Sequence, residues 1–151
     1  MEMINLSLSA PPLTSQAVQN SRLYLFLLPS RTDTSKESVV GAIILTRIES
    51  AMKVVKIDAK HGGSDLVHVD SGLFCHPERI PAAMGVSRLF VSTMYRRKGI
   101  ASLLLSAAAR TFVHGCPLRF EDGSIAFSQP TESGRKFMVS MGNGSIGIYD
   151  E

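Results

Sequence analysis

Between Gly85 and Ser102 the chain runs GVSRLFVSTMYRRKGIAS, and no other stretch constrains the fold as much. Val86, Leu89, Phe90 and Val91 favour an extended strand, whereas Ile100, Leu103, Leu104, Ala107, Ala108 and Thr111/Phe112 recur at helical spacing. A strand must therefore give way to a helix across Arg96-Arg97-Lys98-Gly99. The basic turn falls at the helix N-terminus, where the first N–H groups lack intrahelical acceptors and the macrodipole is positive. An anion held there is stabilised by the amides, the dipole and the arginines together. Gly99 has no Cβ to keep a diphosphate from the backbone, and Ala101 is small enough to allow the same approach.

An isolated RRKG also suits a solvated turn, a nuclear-import signal or a nucleic-acid patch. Net charge is only +3 over 151 residues, which gives no support for wrapping nucleic acid, so direct nucleic-acid binding is not indicated. No low-complexity tract divides the sequence, and a single domain at 22–151, preceded by an arm or leading element at 1–21, accounts for it. The longest apolar runs, Leu23–Leu28 and Val39–Leu45, are too short to cross a bilayer, so no membrane partner is expected. Cys75 and Cys116 are the only two cysteines. With no secretory signal recognisable, both are expected as reduced thiols of a soluble intracellular protein.

Upstream, RLYLFLLP from Arg22 reads as a buried strand, Ser30–Ser38 as its turn and VVGAIILTRIE as a long partner, with Gly41 at a bulge or a close approach. Met52–Asp58 is a third extended run, Lys60–Ser64 a loop and Leu66–Val69 a short strand. Ser71–Ala83, with Pro77, Pro81 and little periodicity, reads as a surface connection. Downstream, His114-Gly115-Cys116-Pro117 stops the helix, Arg119–Gly123 forms a polar loop, and SIAFSQ from Ser124 is a strand. Pro130–Gly134 starts a second helix, because a proline in the first turn lacks only an N–H that has no partner there, and Glu132 complements the dipole. Met141–Gly144 ends it, and Ile146, Ile148 and Tyr149 mark a last strand. This order predicts an α/β (α+β) fold, a mixed sheet with helices packed on it.

The spacing Arg96-x-x-Gly99-x-Ala101 is similar to the Q/R-x-x-G-x-G/A loop with which GNAT acetyltransferases hold the pyrophosphate of acetyl-CoA. Taken with GVSRLFV, RRKGIAS, the AFSQPTESGRKF block at Ala126–Phe137 and the YLFLLP and VVGAIILTRI strands, the sequence resembles one GNAT branch, the Eco/ESCO cohesin acetyltransferases, over roughly Arg22–Tyr149. The resemblance implies a GNAT-like mixed, largely antiparallel central sheet with helices on both faces. It implies a protein lysine N-acetyltransferase that uses acetyl-CoA as cosubstrate and no metal. It implies lysines of the cohesin ATPase-head subunit as acceptor, and a nuclear, chromatin-associated role in sister chromatid cohesion.

The resemblance also assigns residues. The backbone of Leu89, Phe90 and Val91 would hold the pantetheine arm like an added strand, while their side chains serve the core. Arg96, Arg97, Lys98, Gly99, Ile100, Ala101 and Ser102 would receive the pyrophosphate. Ser128, Pro130, Gly134 and Phe137 would line the opposite side, although Phe137 taken alone reads first as a core ring.

Acetyl transfer needs the lysine ammonium to lose a proton and needs a hydrogen-bond donor for the thioester carbonyl. In animal relatives of the resembled family the base is expected at an Asp in an FSDPT block; here Gln129 stands in its place, and an amide can hydrogen-bond but cannot take a proton at neutral pH. A second carboxylate that relatives can carry on the pyrophosphate helix matches Ser106. Three readings stay open. Gln129 positions the lysine while a water relay removes the proton; or another carboxylate, Glu121, Asp122, Asp150 or Glu151, serves; or the domain binds acetyl-CoA or chromatin partners with little or no turnover. A histone tail or a small amine is the alternative acceptor.

Ser87 is the candidate partner of the lysine or a relay water, and otherwise an ordinary strand hydroxyl. Thr93 would donate to the thioester or a phosphate, or close a turn. Arg88 faces an acidic partner or pairs internally. His61, His68, His76 and His114 show no metal-ligand spacing with the cysteines, and Cys75-His76 reads as a surface-loop pair.

Overall fold

The computed structural model describes residues 14–55, 67–69, 73–142 and 145–150. Helix α1 (Ser15–Gln19) is capped by the Thr14 hydroxyl, which accepts from the Ala17 N–H at 3.1 Å. Five strands follow: β1 (Ser21–Pro29), β2 (Glu37–Arg47), β3 (Ser50–Val55), β4 (Val67–Val69) and β5 (Leu73–Pro81). Then come β6 (Met84–Val91), α2 (Ile100–Thr111), β7 (Ile125–Phe127), α3 (Glu132–Gly142) and β8 (Gly147–Ile148). The strands join in one sheet of order β1-β2-β6-β7-β8-β3-β5-β4. The pairs β6–β7 and β7–β8 are parallel and the others antiparallel, so the sheet is the mixed, largely antiparallel one expected.

Each parallel step is made by a helix. Both steps run the same way across the sheet, and right-handed crossovers in one direction place α2 and α3 on one face. Accordingly Ile100, Leu104, Leu105 and Ala108 of α2 and Met138 of α3 share a single buried cluster with Ile43, Met84, Val86, Ile125 and Ile148 of the sheet. The buried stripe of α2 is turned slightly from the predicted one: Leu105 and Ala109 are buried, whereas Leu103 is 56% exposed. Gly41 is a point of close approach, since a Cβ there would come 2.8 Å from Ile100 Cγ2. On the other face Ala51, Ala82, Ala126 and Tyr149 form a separate cluster with Ile48.

Two expectations are corrected. Ser71–Ala83 is no surface connection: Leu73–Pro81 is strand β5, paired with β3 and β4. The register with β3 shifts between Met52↔Arg79 and Val54↔Cys75, so the irregularity takes up Pro77, which has no N–H to give a regular ladder. Cys75 is consequently fully buried while His76 is exposed, and desolvation pushes the Cys75 thiol above its usual range. Both cysteines are free. The second correction is β1, which is an edge strand instead of a buried one, with Leu23, Leu25 and Leu27 exposed in alternation.

The third extended run is seen as Ser50–Val55 and the fourth as Val67–Val69. Residues 1–13 of the leading segment, 56–58, the loop at 60–64, Leu66, 71–72 of the supposed connection and 143–144 at the end of α3 lie outside the described residues. Among the described residues no helix is long and apolar enough to cross a membrane.

Candidate active site

β7 follows β6 only as far as Ser128, whose N–H donates to the Val86 carbonyl at 3.0 Å. There the chain turns off through Pro130 into α3, while β6 runs on to Val91. The two strands splay and open a cleft of about 1280 Å³, closed by the N-terminus of α2 on one side and the first turns of α3 on the other. It lies beyond the C-terminal ends of parallel strands, where α/β sheets bind their ligands.

A bulge sets which backbone groups face this cleft. Ile44 pairs with Arg88 but Leu45 with Val86, so Ser87 is an extra residue in β6. Past the bulge the Ser92 N–H donates to the Val40 carbonyl at 2.9 Å. By antiparallel alternation Phe90 and Arg88 then exchange hydrogen bonds with β2, and the N–H and C=O of Leu89 and Val91 turn toward the cleft. Of the three residues 89 to 91 expected to offer backbone groups, Phe90 therefore spends its own on the sheet. The bulge itself is tied down: the Ser87 carbonyl accepts from Arg88 Nη1 at 2.8 Å and from Ser128 Oγ at 3.1 Å, and Ser87 Oγ accepts from Arg88 Nη1 at 3.3 Å. Ser87, Arg88 and Ser128 are all buried.

At the other end, Arg97 has φ 63° and Gly99 φ 79°. A left-handed conformation costs a non-glycine residue about 1–2 kcal/mol, and here it wraps the basic turn over the start of α2. Gly99 is the N-cap of α2 and brings no side chain to it, so the first-turn amides at Ile100, Ala101 and Ser102 keep their capacity for an outside acceptor. Arg96 Nε donates to the Val91 carbonyl at 3.2 Å, which holds its guanidinium across the mouth. Lys98 instead lays its ammonium 5.2 Å from the centre of the Tyr95 ring and is not among the cleft-lining residues. Thr93 is also outside; it is exposed on the short turn Thr93–Tyr95, where its carbonyl accepts from the Arg96 N–H at 3.4 Å.

The remaining candidates line the cleft together: Ser87, Leu89, Phe90, Val91, Arg96, Arg97, Gly99, Ile100, Ala101, Ser102, Ser128, Gln129, Pro130, Gly134 and Phe137. Sequence reasoning passed over Tyr95, Thr131, Ser133, Lys136 and Tyr149, which also line it. Ser133 and Lys136 stand three residues from Pro130 and Ser133 respectively, so helical periodicity from Pro130 was the available signal. Of the alternative carboxylates only Asp150 lines the cleft; Glu121 and Asp122 are exposed outside it, and Glu151 is outside the described residues. Ser106 does not reach the cleft. Among the described residues no three His, Cys, Asp or Glu side chains group as a metal site; His61 and the side chain of His68 fall outside that set.

The chemistry of this donor set suits a coenzyme A thioester: a basic turn with open helix amides for a diphosphate, a strand edge for an amide-bearing arm, and a polar pocket beyond it. The family model for the ESCO1/2 acetyl-transferase matches residues 80–146. The chain is 31% identical over 142 residues to the N-acetyltransferase eso1 of Schizosaccharomyces pombe, covering 93% of this chain and 15% of that protein. It is 31% identical over 153 residues to the N-acetyltransferase ECO1 of Yarrowia lipolytica, covering 100% of this chain and 46% of that one. The chain thus spans less than half the length of these curated relatives. In structure it is similar to the xEco2 acetyltransferase domain bound to a CoA conjugate, with a TM-score of 0.77 and 26% identity over 99% of this chain and 79% of that domain.

Proposed function

The chain belongs to the Eco/ESCO family of acetyltransferases, and from that premise we propose that it is an acetyl-CoA-dependent protein lysine N-acetyltransferase whose acceptor is the cohesin ATPase-head subunit. Its place is then the nucleus, on chromatin, in establishing sister chromatid cohesion. The observation that carries the transferase reading is the splayed β6–β7 cleft, with the Leu89 and Val91 amides along one wall and the Arg96–Gly99 turn at its end.

Bound acetyl-CoA supplies an activated acetyl thioester; everything else falls to the chain. Arg96, Arg97 and the first amides of α2 hold the diphosphate, and the edge of β6 holds the arm in extended form. The Leu89 N–H, next along from the bulge, is the donor offered to the thioester carbonyl, where a fixed amide is most effective because it needs no reorganisation. The acceptor amine enters from the ends of β7 and β8, past Gln129. The Gln129 carboxamide orients the nitrogen, and the proton leaves through water, since that amide cannot accept it.

The test is turnover with a cohesin-head peptide against a histone-tail peptide. Acetylation of the first alone is expected. Retained acetyl-CoA binding with acetylation of neither would favour the binding-only reading, which the amide at 129 makes the pertinent rival. A general base contributes about 10²–10⁴ where it is well placed, so Gln129→Asp is expected to raise the rate near neutral pH by at least about tenfold. An unaltered rate in Gln129→Ala would remove that side chain from the acceptor site.

A further inference from the structure

The acid that this family's pattern places at position 129 has a counterpart one strand away. β7 and β8 run parallel with Ala126 opposite Gly147 and Phe127 opposite Ile148, and the Tyr149 N–H donates to the Phe127 carbonyl at 3.0 Å. Gln129 and Asp150 therefore leave the sheet side by side, about one strand spacing of ~4.8 Å apart. Both line the cleft, and among its described lining residues Asp150 is the only acid, against the cations Arg88, Arg96, Arg97 and Lys136. Asp150 Oδ2 is met at 2.7 Å by Arg79 Nη2, which reaches over from β5.

We propose that Asp150 is the carboxylate that receives the acceptor lysine's ammonium, and that Arg79 holds it in place until the ammonium displaces the guanidinium. This rests on the transferase reading above and names the acceptor-binding group within it. The exposure of the pair decides that the exchange is feasible. With side chains 50% and 68% exposed, the ion pair belongs to the class that contributes about 0–1 kcal/mol, so a second cation competes on nearly equal terms. A lysine ammonium entering this cleft meets, among its described lining residues, positive charge and this one carboxylate. Asp150 orients the amine beside Gln129; it forms no bond to the acetyl group.

The two members of the pair carry opposite signs in the test. With acetyl-CoA saturating and Nα-acetyl-lysine amide as the probe amine, Asp150→Asn is expected to raise the KM for the amine about threefold to fivefold, as loss of one exposed ion pair allows. Acetyl-CoA affinity should stay unchanged and Asp150→Glu should recover most of the loss. Arg79→Gln, which removes the competitor, is expected to lower the same KM by about twofold to fivefold. A merely structural pair would move both variants in the same direction. An unchanged KM in Asp150→Asn, or a raised one in Arg79→Gln, would overturn the inference alone. A wild-type chain that binds acetyl-CoA yet acetylates no amine would overturn the transferase reading and this inference with it.

Discussion

Replacing both Arg96 and Arg97 by glutamate is expected to weaken acetyl-CoA binding roughly hundredfold. A hydrogen bond to a charged group contributes about 1.5–3 kcal/mol, and each reversal also sets a negative charge against the diphosphate. Both side chains are exposed, so solvent screening trims the total, and an overall loss near 3 kcal/mol, about two orders of magnitude in Kd, is the consistent figure. Arg96 has a second task, its bond to the Val91 carbonyl, so its reversal also loosens the end of β6. Calorimetry at fixed ionic strength measures the effect, and the difference from wild type should shrink as salt is added. Since neither residue packs in the core, the melting temperature should barely move. Unchanged affinity would sink the assignment of this turn to the diphosphate.

The largest loss of stability is expected from Gly147→Val. A Cβ at this position would come 2.8 Å from the Ala51 Cβ and 3.2 Å from the Met52 carbonyl oxygen. Neither can swing away, because both are fixed to the backbone of the neighbouring strand β3. Overpacking of this kind costs about 1–3 kcal/mol, and a branched side chain in a two-residue strand belongs at the upper end. For a chain of this length about 3 kcal/mol lowers Tm by roughly 10 °C, which a thermal melt will resolve. Gly41→Ala should be milder: its Cβ would meet Leu104 Cδ1 at 3.1 Å, the end of a side chain that can rotate, and Ile100 Cγ2 at 2.8 Å, a side-chain methyl at the first turn of α2 instead of the backbone of a neighbouring strand.

The half of the cleft assigned to the coenzyme was legible in the sequence because its parts are consecutive. A strand, a basic turn, a glycine and a helix follow one another from Val86 to Ser102, and local periodicity suffices to order them. The other half is assembled across the sheet. Asp150 meets Arg79 from 71 residues earlier in the chain, and its adjacency to Gln129 depends on the parallel register of β7 and β8, which no spacing in the sequence records. The same limit explains β5, where two prolines argued for a loop and a register shift against β3 absorbed one of them. Burial of Cys75 was hidden for that reason. Lys98 and Thr93 show the converse: they are contiguous with the motif but do not line the cleft, and Lys98, next to the left-handed Arg97, lies over Tyr95.

The extra residue at Ser87 works as a phase shift along β6. Upstream of it the strand's hydrogen bonds keep step with β7; downstream the beat is displaced by one residue, about 3.3 Å. That displacement exceeds the latitude of a hydrogen bond, so the position of the proposed thioester donor is stored as a count of residues and not as the identity of any side chain. Substitutions at 87 can leave that count intact. A single deletion there would let the β2–β6 ladder run on without interruption while moving every amide along the cleft out of step with the ligand, a loss of function written entirely in backbone arithmetic.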